Sequence, residues 1–286
     1  MANLKEIRNR ISSVSSTMQI TSAMKMVSAA KLKKAQDAIT AMRPYSNKLT
    51  ELLQSLSATL DDDGGSKFAE QREVNKVLIV AISSNRGLAG AFNSNIIKQV
   101  NHLLSDTYAG KEVSILSIGK KVNDAFGKSE NVIANKSEVF DDLTFENVAD
   151  IAEMIMDKFI EGDFDKVELI YNSFKNAATQ IVMTEQYLPI APVEGDTNAN
   201  LDYIFEPTKQ EIVETLIPKS LKTQLFKAIR DSFASEHGAR MTAMHKATDN
   251  ATELRDQLKL TYNKARQAAI TNEILEIVGG AEALNN

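Results

Sequence analysis

Apolar residues recur at steps of three and four along the first sixty residues of the chain. The row opens with Leu4, Ile7 and Ile11 and ends at Leu60. Steps that average about 3.5 residues are the heptad signature of a helix whose apolar seam is covered along its length by another helix. We therefore predict a coiled-coil helix over residues 1–60.

Polar and charged residues interrupt this seam, and a second apolar row runs beside the interruptions. The interruptions are Thr21, Lys25, Ser28 and Ser46, and the offset row consists of Ile20, Met24 and Val27. We expect the helix to meet something other than its main partner in this region. Pro44 should bend the helix further along, because proline removes a backbone donor and crowds the preceding turn.

The last part of the chain repeats the same period. Apolar or small residues follow one another from Met244 to Ala268 and continue in a shifted phase from Ile270 to Leu284. The alanines allow a close helical neighbour, and the N-terminal helix is the natural partner. We predict a second coiled-coil helix over 208–286, antiparallel to the first. At about 1.5 Å per residue, these helices would span on the order of 80 and 110 Å, so we expect an elongated protein.

Between the two helices the pattern changes to strands that alternate with shorter helices. The predicted strands are 76–82, 113–118, 132–134, 167–171 and 180–187, and the predicted helices are 91–104, 120–126 and 145–159. This alternation favours a small, Rossmann-like α/β domain with a largely parallel sheet, which we place at 74–190. Residues 191–207 contain Pro and Gly and resemble a linker. The predicted fold class is α/β, a long antiparallel coiled coil with this small domain inserted.

Composition and charge exclude several classes of protein. The chain has no Cys, which excludes disulfides and cysteine nucleophiles. No stretch reaches the roughly 18 apolar residues of a membrane span, and the N-terminus lacks the apolar segment of a signal peptide. Residues 1–60 carry 9 basic and 3 acidic side chains, whereas residues 61–206 carry 13 and 25. Such a basic arm suits a nucleic acid, an anionic membrane or an acidic protein, and the count does not choose among them.

The most suggestive chemical motif is the turn SSNRGLAG at residues 83–90, between a predicted strand and a predicted helix. The backbone N–H groups of such a turn can hold a phosphate, but its spacing matches neither the dinucleotide nor the P-loop pattern. A plain strand-to-helix turn is the alternative. His102, His237 and His245 lack the spacing of metal ligands. We expect no catalytic residue, no cofactor and no metal.

Two polar clusters are candidate partner contacts, and an ordinary solvated helix face is the alternative for each. The first consists of Lys25, Lys31, Lys33 and Lys34, interleaved with Met24 and Met26. A basic face with flexible methionines suits an acidic, mobile partner. The second consists of Arg266 and Gln267, whose planar cation and amide suit polar contacts that form and release.

Five segments of the chain together resemble one protein family. They are IRNRISSVSSTMQITSAMKMVSAAKLKKAQ near the N-terminus, RPY at 43–45, SSNRGLAG at 83–90, SEHGARMTAMHKATDN at 235–250 and YNKARQAAITNEILEIVGGAEAL near the C-terminus. On these segments the chain resembles the gamma subunits of the rotary F-type ATP synthases over essentially its whole length. Ala89 and the absence of Cys depart from the plastid members, whose cysteine-based redox insert is missing here.

The resemblance implies a central rotor shaft rather than an enzyme. The coiled coil would lie inside a ring of three alpha and three beta subunits, and the α/β domain would sit on the membrane rotor ring, with the epsilon subunit as a further partner. Proton flow would turn the shaft and drive each catalytic beta subunit through open, loose and tight states. The implied location is peripheral, on the cytoplasmic face of a bacterial inner membrane.

The resemblance also implies which residues contact the ring. Contacts with the catch loop of a beta subunit are implied for Arg266, Gln267, Thr271 and Glu273. The stretch that faces the acidic lever segment of beta is implied to include Met24, Lys25, Lys31, Lys33 and Lys34, with Arg240 joining the contacts near that lever. Two other hypotheses remain open: a structural coiled-coil tether that does not rotate, and a small nucleotide-binding enzyme with helical extensions.

Overall fold

The computed structural model describes residues 4–57, 67–128, 131–190 and 209–285. The chain divides into two compact units. Residues 29–240 form the body unit, and residues 1–28 with 241–286 form the paired-helix unit. Two long helices contribute to both units: α1 (Leu4–Ser57) and α5 (Lys209–Asn285). The predicted linker at 191–207 lies outside the described residues.

A five-stranded sheet forms the centre of the body unit, as far as the described residues go. Its strands are β1 (Lys76–Ile82), β2 (Glu112–Ile118), β3 (Val132–Asn135), β4 (Lys166–Phe174) and β5 (Gln180–Leu188). The strands lie in the order β3-β2-β1-β4-β5. Neighbours are parallel except for β4 and β5, which are antiparallel. The predicted largely parallel sheet is confirmed, and the antiparallel pair of β4 and β5 lies at one edge of it.

In the part of the chain that the structure describes, three shorter α-helices accompany the sheet: α2 (Phe92–His102), α3 (Lys120–Phe126) and α4 (Phe145–Ile160). The prediction that the first of these ends at residue 104 was wrong. The backbone widens after His102 into a π-helical turn, Leu103–Thr107, closed by a 2.8 Å hydrogen bond from the Tyr108 N–H to the Leu103 carbonyl. Leu103 and Tyr108 are both buried in the same core, and the wider turn brings both side chains inward.

β1 is apolar at nearly every position because both faces of the sheet are covered. Leu78 and Val80 belong to a core that includes residues of α4 and of the first part of α5. Val77 and Ile79 belong to a second core that includes residues of α2. The continuous apolar run at 76–82 therefore reflects a central strand between two helical layers.

The paired-helix unit is an antiparallel pair made from the start of α1 and the second half of α5. The Arg8 guanidinium donates to the Tyr262 hydroxyl at 2.8 Å, and the Arg255 guanidinium lies 3.5 Å from the Met18 sulfur. The hydroxyls of Thr21 and Thr248 are 2.8 Å apart. As the residue number rises along α1, the number of its partner on α5 falls, which confirms the predicted antiparallel pairing.

The polar residues of the α1 seam lie inside it. Thr21, Ser28 and Ser46 are buried, so the row of buried positions continues through residues that we took as interruptions. Small hydroxyl side chains can bond nearby backbone and partner groups, as Thr21 does with the Met18 carbonyl at 3.1 Å. The offset row remains open, since Ile20 and Val27 are exposed. Within the described ranges, no helix has a stretch long and apolar enough to cross a membrane.

Candidate functional site

The C-terminal end of α5 is exposed on every side. All residues from 266 to 281 are exposed, whereas Tyr262 and Ala265 are half-buried. The exposed residues include large apolar ones, and five of them are between 48% and 66% exposed: Ile270, Ile274, Leu275, Ile277 and Val278. The seam that we predicted to continue past Ile270 therefore has no covering partner among the described residues. The pairing of the two helices therefore does not extend to this end of α5 in the described part of the chain.

Four predicted contact residues share this open end of α5. They are Arg266, Gln267, Thr271 and Glu273, and all four are exposed. Their spacing along the helix places Gln267 beside Thr271, and Arg266 beside Ile270. The structure thus brings a cation, an amide, a hydroxyl and a carboxylate together with large apolar side chains on one accessible stretch. Exposed apolar area of this extent is typical of a surface that another protein covers.

The predicted basic stretch of α1 is divided between the two units. In the paired-helix unit, Met24 and Lys25 are half-buried and lie among the exposed residues Ile20, Met26 and Val27. In the body unit, Lys31, Lys33 and Lys34 are exposed. Leu32, between these lysines, and Ala35, directly after them, are buried, so the lysines occupy the outer side of a helix whose inner side belongs to the core.

The polar groups of the turn at 83–90 are bonded to one another and to neighbouring segments of the body unit. The Ser84 hydroxyl donates to the Arg86 carbonyl at 2.6 Å, and the Ser84 N–H donates to the Asn93 amide oxygen at 3.0 Å. Asn85 donates to the Ser137 carbonyl at 2.9 Å and accepts from the Lys120 N–H at 3.1 Å. In a doubly wound sheet, the carboxyl ends of the strands near this point are where a phosphate binds. Here protein groups already use the Ser84 N–H and the Asn85 amide, which favours the plain turn.

Arg240 is buried, unlike the other predicted contact residues. Its side chain is 8% exposed, and one guanidinium nitrogen lies 2.5 Å from the Glu236 carboxylate. The other terminal nitrogen donates to the carbonyls of Arg86 and Gly87 at 3.1 and 3.3 Å. Burial raises the pKa of Glu236, and the nearby Arg240 opposes that rise. The implied role of Arg240 as a surface contact therefore does not fit its position, because its donors point into the protein.

His237, which the sequence analysis considered only as a metal ligand, is buried. It is 5% exposed, and its ring packs edge-on against Phe233 with the ring centres 4.5 Å apart. Neither ring nitrogen has a hydrogen-bond partner. Burial, together with the positive charges of Arg240 and Lys31, lowers its pKa to about 4. The spacing of metal ligands along the sequence could not predict the burial of His237, because that burial results from how α5 packs in the folded chain.

The other histidines pair with acidic residues on their own helices. His102 Nδ1 lies 2.5 Å from Asp106, and His245 Nδ1 lies 3.3 Å from Asp249. In the part of the chain that the structure describes, no three or more acidic, His or Cys residues are grouped as a metal site would require.

The comparisons with known proteins give one family. A family model described as ATP synthase matches residues 3–284. The chain is 75% identical to the ATP synthase gamma chain of Flavobacterium psychrophilum over 285 residues, which cover 99% of each protein. It is 73% identical to the ATP synthase gamma chain of Flavobacterium johnsoniae over 286 residues, which cover 100% of each.

The fold also resembles a chain in a solved structure. That structure is described as Euglena gracilis mitochondrial ATP synthase, OSCP/F1/c-ring, rotational state 3. The TM-score is 0.70 with 21% sequence identity, over 98% of this chain and 94% of the other. At this identity the likeness concerns the fold alone.

Proposed function

The chain belongs to the gamma-chain family of the F-type ATP synthases, and we propose that it is the rotor shaft that couples proton flow through the membrane sector to ATP synthesis. Gamma chains are subunits of the complex and do not carry its catalytic site. The observation that supports a shaft most directly is the open end of α5, where all residues from 266 to 281 are exposed. A helix end with this much exposed apolar surface needs a surrounding partner.

The proposed partners are three alpha and three beta subunits, the epsilon subunit and the membrane rotor ring. Arg266, Gln267, Thr271 and Glu273 are the proposed contacts with the catch loop of a beta subunit. The proposed contacts with the acidic lever segment are Met24, Lys25, Lys31, Lys33 and Lys34. The exposure of the lysines on the outer side of α1 supports attraction by an acidic partner, which speeds association and fixes orientation more than it tightens binding.

Rotation limits how strongly the shaft can bind the ring. A contact that stabilised one angular position by several kcal/mol more than the others would populate that position almost exclusively. Exposed polar pairs are worth only about 0–1 kcal/mol each, so contacts such as those proposed for Arg266 and Gln267 can form and break at each step. Apolar attraction has no preferred direction. The exposed apolar residues at the end of α5 therefore need not favour one angular position, provided that the surface around them is smooth.

We further propose that the complex holds this chain on the cytoplasmic face of the bacterial inner membrane. The chain is bound to the membrane through the complex of which it is a subunit. In the proposed arrangement, the paired parts of the helices 1–60 and 208–286 lie inside the ring. The α/β domain of 74–190, on which the first part of α5 packs, lies on the rotor.

The deciding experiment measures ATP hydrolysis by alpha and beta subunits from the same source, assembled with and without this chain. We expect a stable complex of one copy with three alpha and three beta subunits, and a large stimulation of hydrolysis that depends on the chain. A folded chain, verified by circular dichroism, that gives neither complex nor stimulation would contradict the shaft. Self-association of the chain in the same assay would favour the tether.

A further inference from the structure

The turn at 83–90 has an exposed tip with a conformation that needs support. Leu88 has a positive φ of 63° and is 66% exposed. A bulky residue rarely adopts this backbone region, and it persists where surrounding groups hold it. Gly90 also has a positive φ of 57°, and glycine adopts it without strain. The backbone at this tip therefore needs support from neighbouring groups.

Arg240 supplies the support from α5. Its one terminal nitrogen donates to the carbonyls of Arg86 and Gly87, immediately before Leu88. Its other terminal nitrogen is held by Glu236, one helical turn earlier on α5. A guanidinium can serve these acceptors from two separate nitrogens, whereas a lysine would have to serve all three from one atom.

Small side chains allow the turn and α5 to pack closely beside this contact. Ala89 and Phe92 form a buried cluster with Ala239. A Cβ at Gly238 would lie 3.2 Å from the Ala177 backbone, in the loop between β4 and β5. Within the body unit, the turn and the sheet therefore meet α5 at residues 236–240 through both apolar packing and the Arg240 hydrogen bonds.

We propose that Arg240 is a positioning residue for coupling. It ties the turn at 83–90 to α5, so that α5 and the α/β domain move as one piece at this point and the exposed tip keeps its orientation. This inference rests on the proposed rotor function, and it replaces direct contact of Arg240 with the ring. Arg240 acts through the turn, because its own side chain is enclosed.

Two measurements on the full-length chain and on the assembled complex test this role. The first is hydrogen–deuterium exchange of a peptide that covers residues 83–92 in the full-length chain. We expect Arg240→Lys to speed exchange of the hydrogen-bonded amides in this peptide roughly tenfold. This is the effect expected from the loss of about one charge-assisted hydrogen bond. The second is the number of protons pumped per ATP hydrolysed by the membrane-reconstituted complex, which should fall in the same variant.

Arg230→Lys is the matched control. Arg230 also lies on α5 and donates to a backbone carbonyl of the body, that of Leu143 at 2.9 Å, away from the turn. It should leave exchange at 83–92 and the pumping ratio unchanged. If Arg240→Lys does not fold, Arg240→Gln provides the same test, because the neutral side chain allows Glu236 to become protonated.

The outcomes separate this proposal from the rotor function itself. Faster exchange at the turn together with a lower pumping ratio supports the positioning role. A lower ratio with unchanged exchange would overturn it in favour of direct contact, and faster exchange with an unchanged ratio would reduce it to a contribution to stability. Equal effects of Arg230→Lys would also overturn it. Failure of the rotor function is seen separately, as absence of stimulation by the wild-type chain.

Discussion

Arg266 and Gln267 lie side by side on the exposed end of α5, so their role can be tested without damaging the fold. We predict that the double change Arg266→Ala and Gln267→Ala lowers ATP turnover by the assembled complex several-fold while the thermal unfolding of the isolated chain stays the same. Exposed side chains away from the core usually change stability by no more than about 0.5 kcal/mol. The measurement compares turnover and ATP synthesis with circular dichroism melting of the same preparations.

A matched control for this prediction is Gln257→Ala with Lys259→Ala, which removes an exposed amide and an exposed cation from the paired part of the same helix. We expect a smaller effect on turnover from the control. Unchanged turnover and synthesis in the 266/267 variant would remove these two residues from the proposed contacts.

His237 should make the stability of the chain depend on pH. Its pKa is lowered to about 4 in the folded chain, against about 6.5 in the unfolded chain. The unfolded state therefore binds more protons between these values, and the stabilisation is present above pH 6.5 and is lost as the pH falls towards 4. We predict a loss of about 2–3 kcal/mol attributable to His237 between pH 7 and pH 4, measured by urea unfolding of wild type and His237→Leu.

Glu236 makes this comparison between variants necessary. Burial raises its pKa, so it binds protons more readily in the folded chain and acts in the opposite direction over part of the same range. The difference between the two profiles isolates His237, and His102→Gln, which changes a histidine on the surface of α2, should follow the wild type. If the free energy of unfolding of wild type and of His237→Leu changed with pH in the same way, His237 would not contribute to the pH dependence.

At the residue scale, sequence periodicity found positions but not their surroundings. It placed Thr21 and Ser28 on the seam yet treated them as breaks, because a count of apolar residues cannot show that a hydroxyl will find a partner such as Thr248. Arg240 and the turn carbonyls are more than 150 residues apart. Nothing in either segment alone could reveal that contact, which depends on how α5 packs on the sheet.

At the element scale, the junction between β2 and α3 requires a glycine. Gly119 has a φ of 110°, and a Cβ there would lie 2.3 Å from the Ser83 carbonyl oxygen. We predict that Gly119→Ala lowers the free energy of unfolding by at least about 2 kcal/mol, because it adds both backbone strain and a clash with backbone. Urea unfolding at neutral pH measures the change.

Gly279→Ala is the contrasting substitution. Gly279 lies inside the exposed end of α5, and a Cβ there would have no atom within 4 Å. Alanine favours a helix over glycine by about 1 kcal/mol, so helicity should hold or rise slightly and the unfolding midpoint should not fall.

A stable Gly119→Ala variant would contradict the first of these two predictions. It would mean that the turn at 83–90 can move away from β2.

The strands were predictable because their apolar runs are short and continuous, as at 76–82, where two helical layers cover the sheet. Helix ends were less predictable. In the π-helical turn at 103–107, Leu103 and Tyr108 both reach one core. The apolar period of an α-helix, 3.6 residues, does not reveal the extra residue that such a turn contains. The predicted strand and helix left Gly119 between them, but the approach of Ser83, which leaves no room for a Cβ there, is visible only in the folded chain.

At the scale of the whole molecule, the fold class and the family followed from the sequence, because the long helical periods and the segments shared with gamma chains extend over nearly the full length. The open end of α5 did not follow. The heptad-like spacing continues beyond residue 265, and only the burial along the helix shows that the described part of α1 does not cover it. Heptad spacing is the same in a helix that pairs within the chain and in a helix that another protein covers, so the spacing alone does not distinguish them.

The chain by itself should not bind nucleotide, and this prediction separates a rotor subunit from a nucleotide-binding enzyme. The sheet has the parallel order in which a phosphate would bind beyond β1, but the donors that could hold a phosphate there, the Ser84 N–H and the Asn85 side-chain amide, are already bonded within the protein. Displacing them would cost more than a phosphate could recover from the remaining groups, since each buried polar group left unpaired costs about 1–3 kcal/mol. We predict a dissociation constant for ATP no tighter than millimolar by calorimetry on the isolated chain. Micromolar binding that Arg240→Lys changes would place a nucleotide at this turn and restore the enzyme hypothesis, whereas weak or absent binding leaves ATP chemistry to the other subunits, whose sites this chain can influence only through contact.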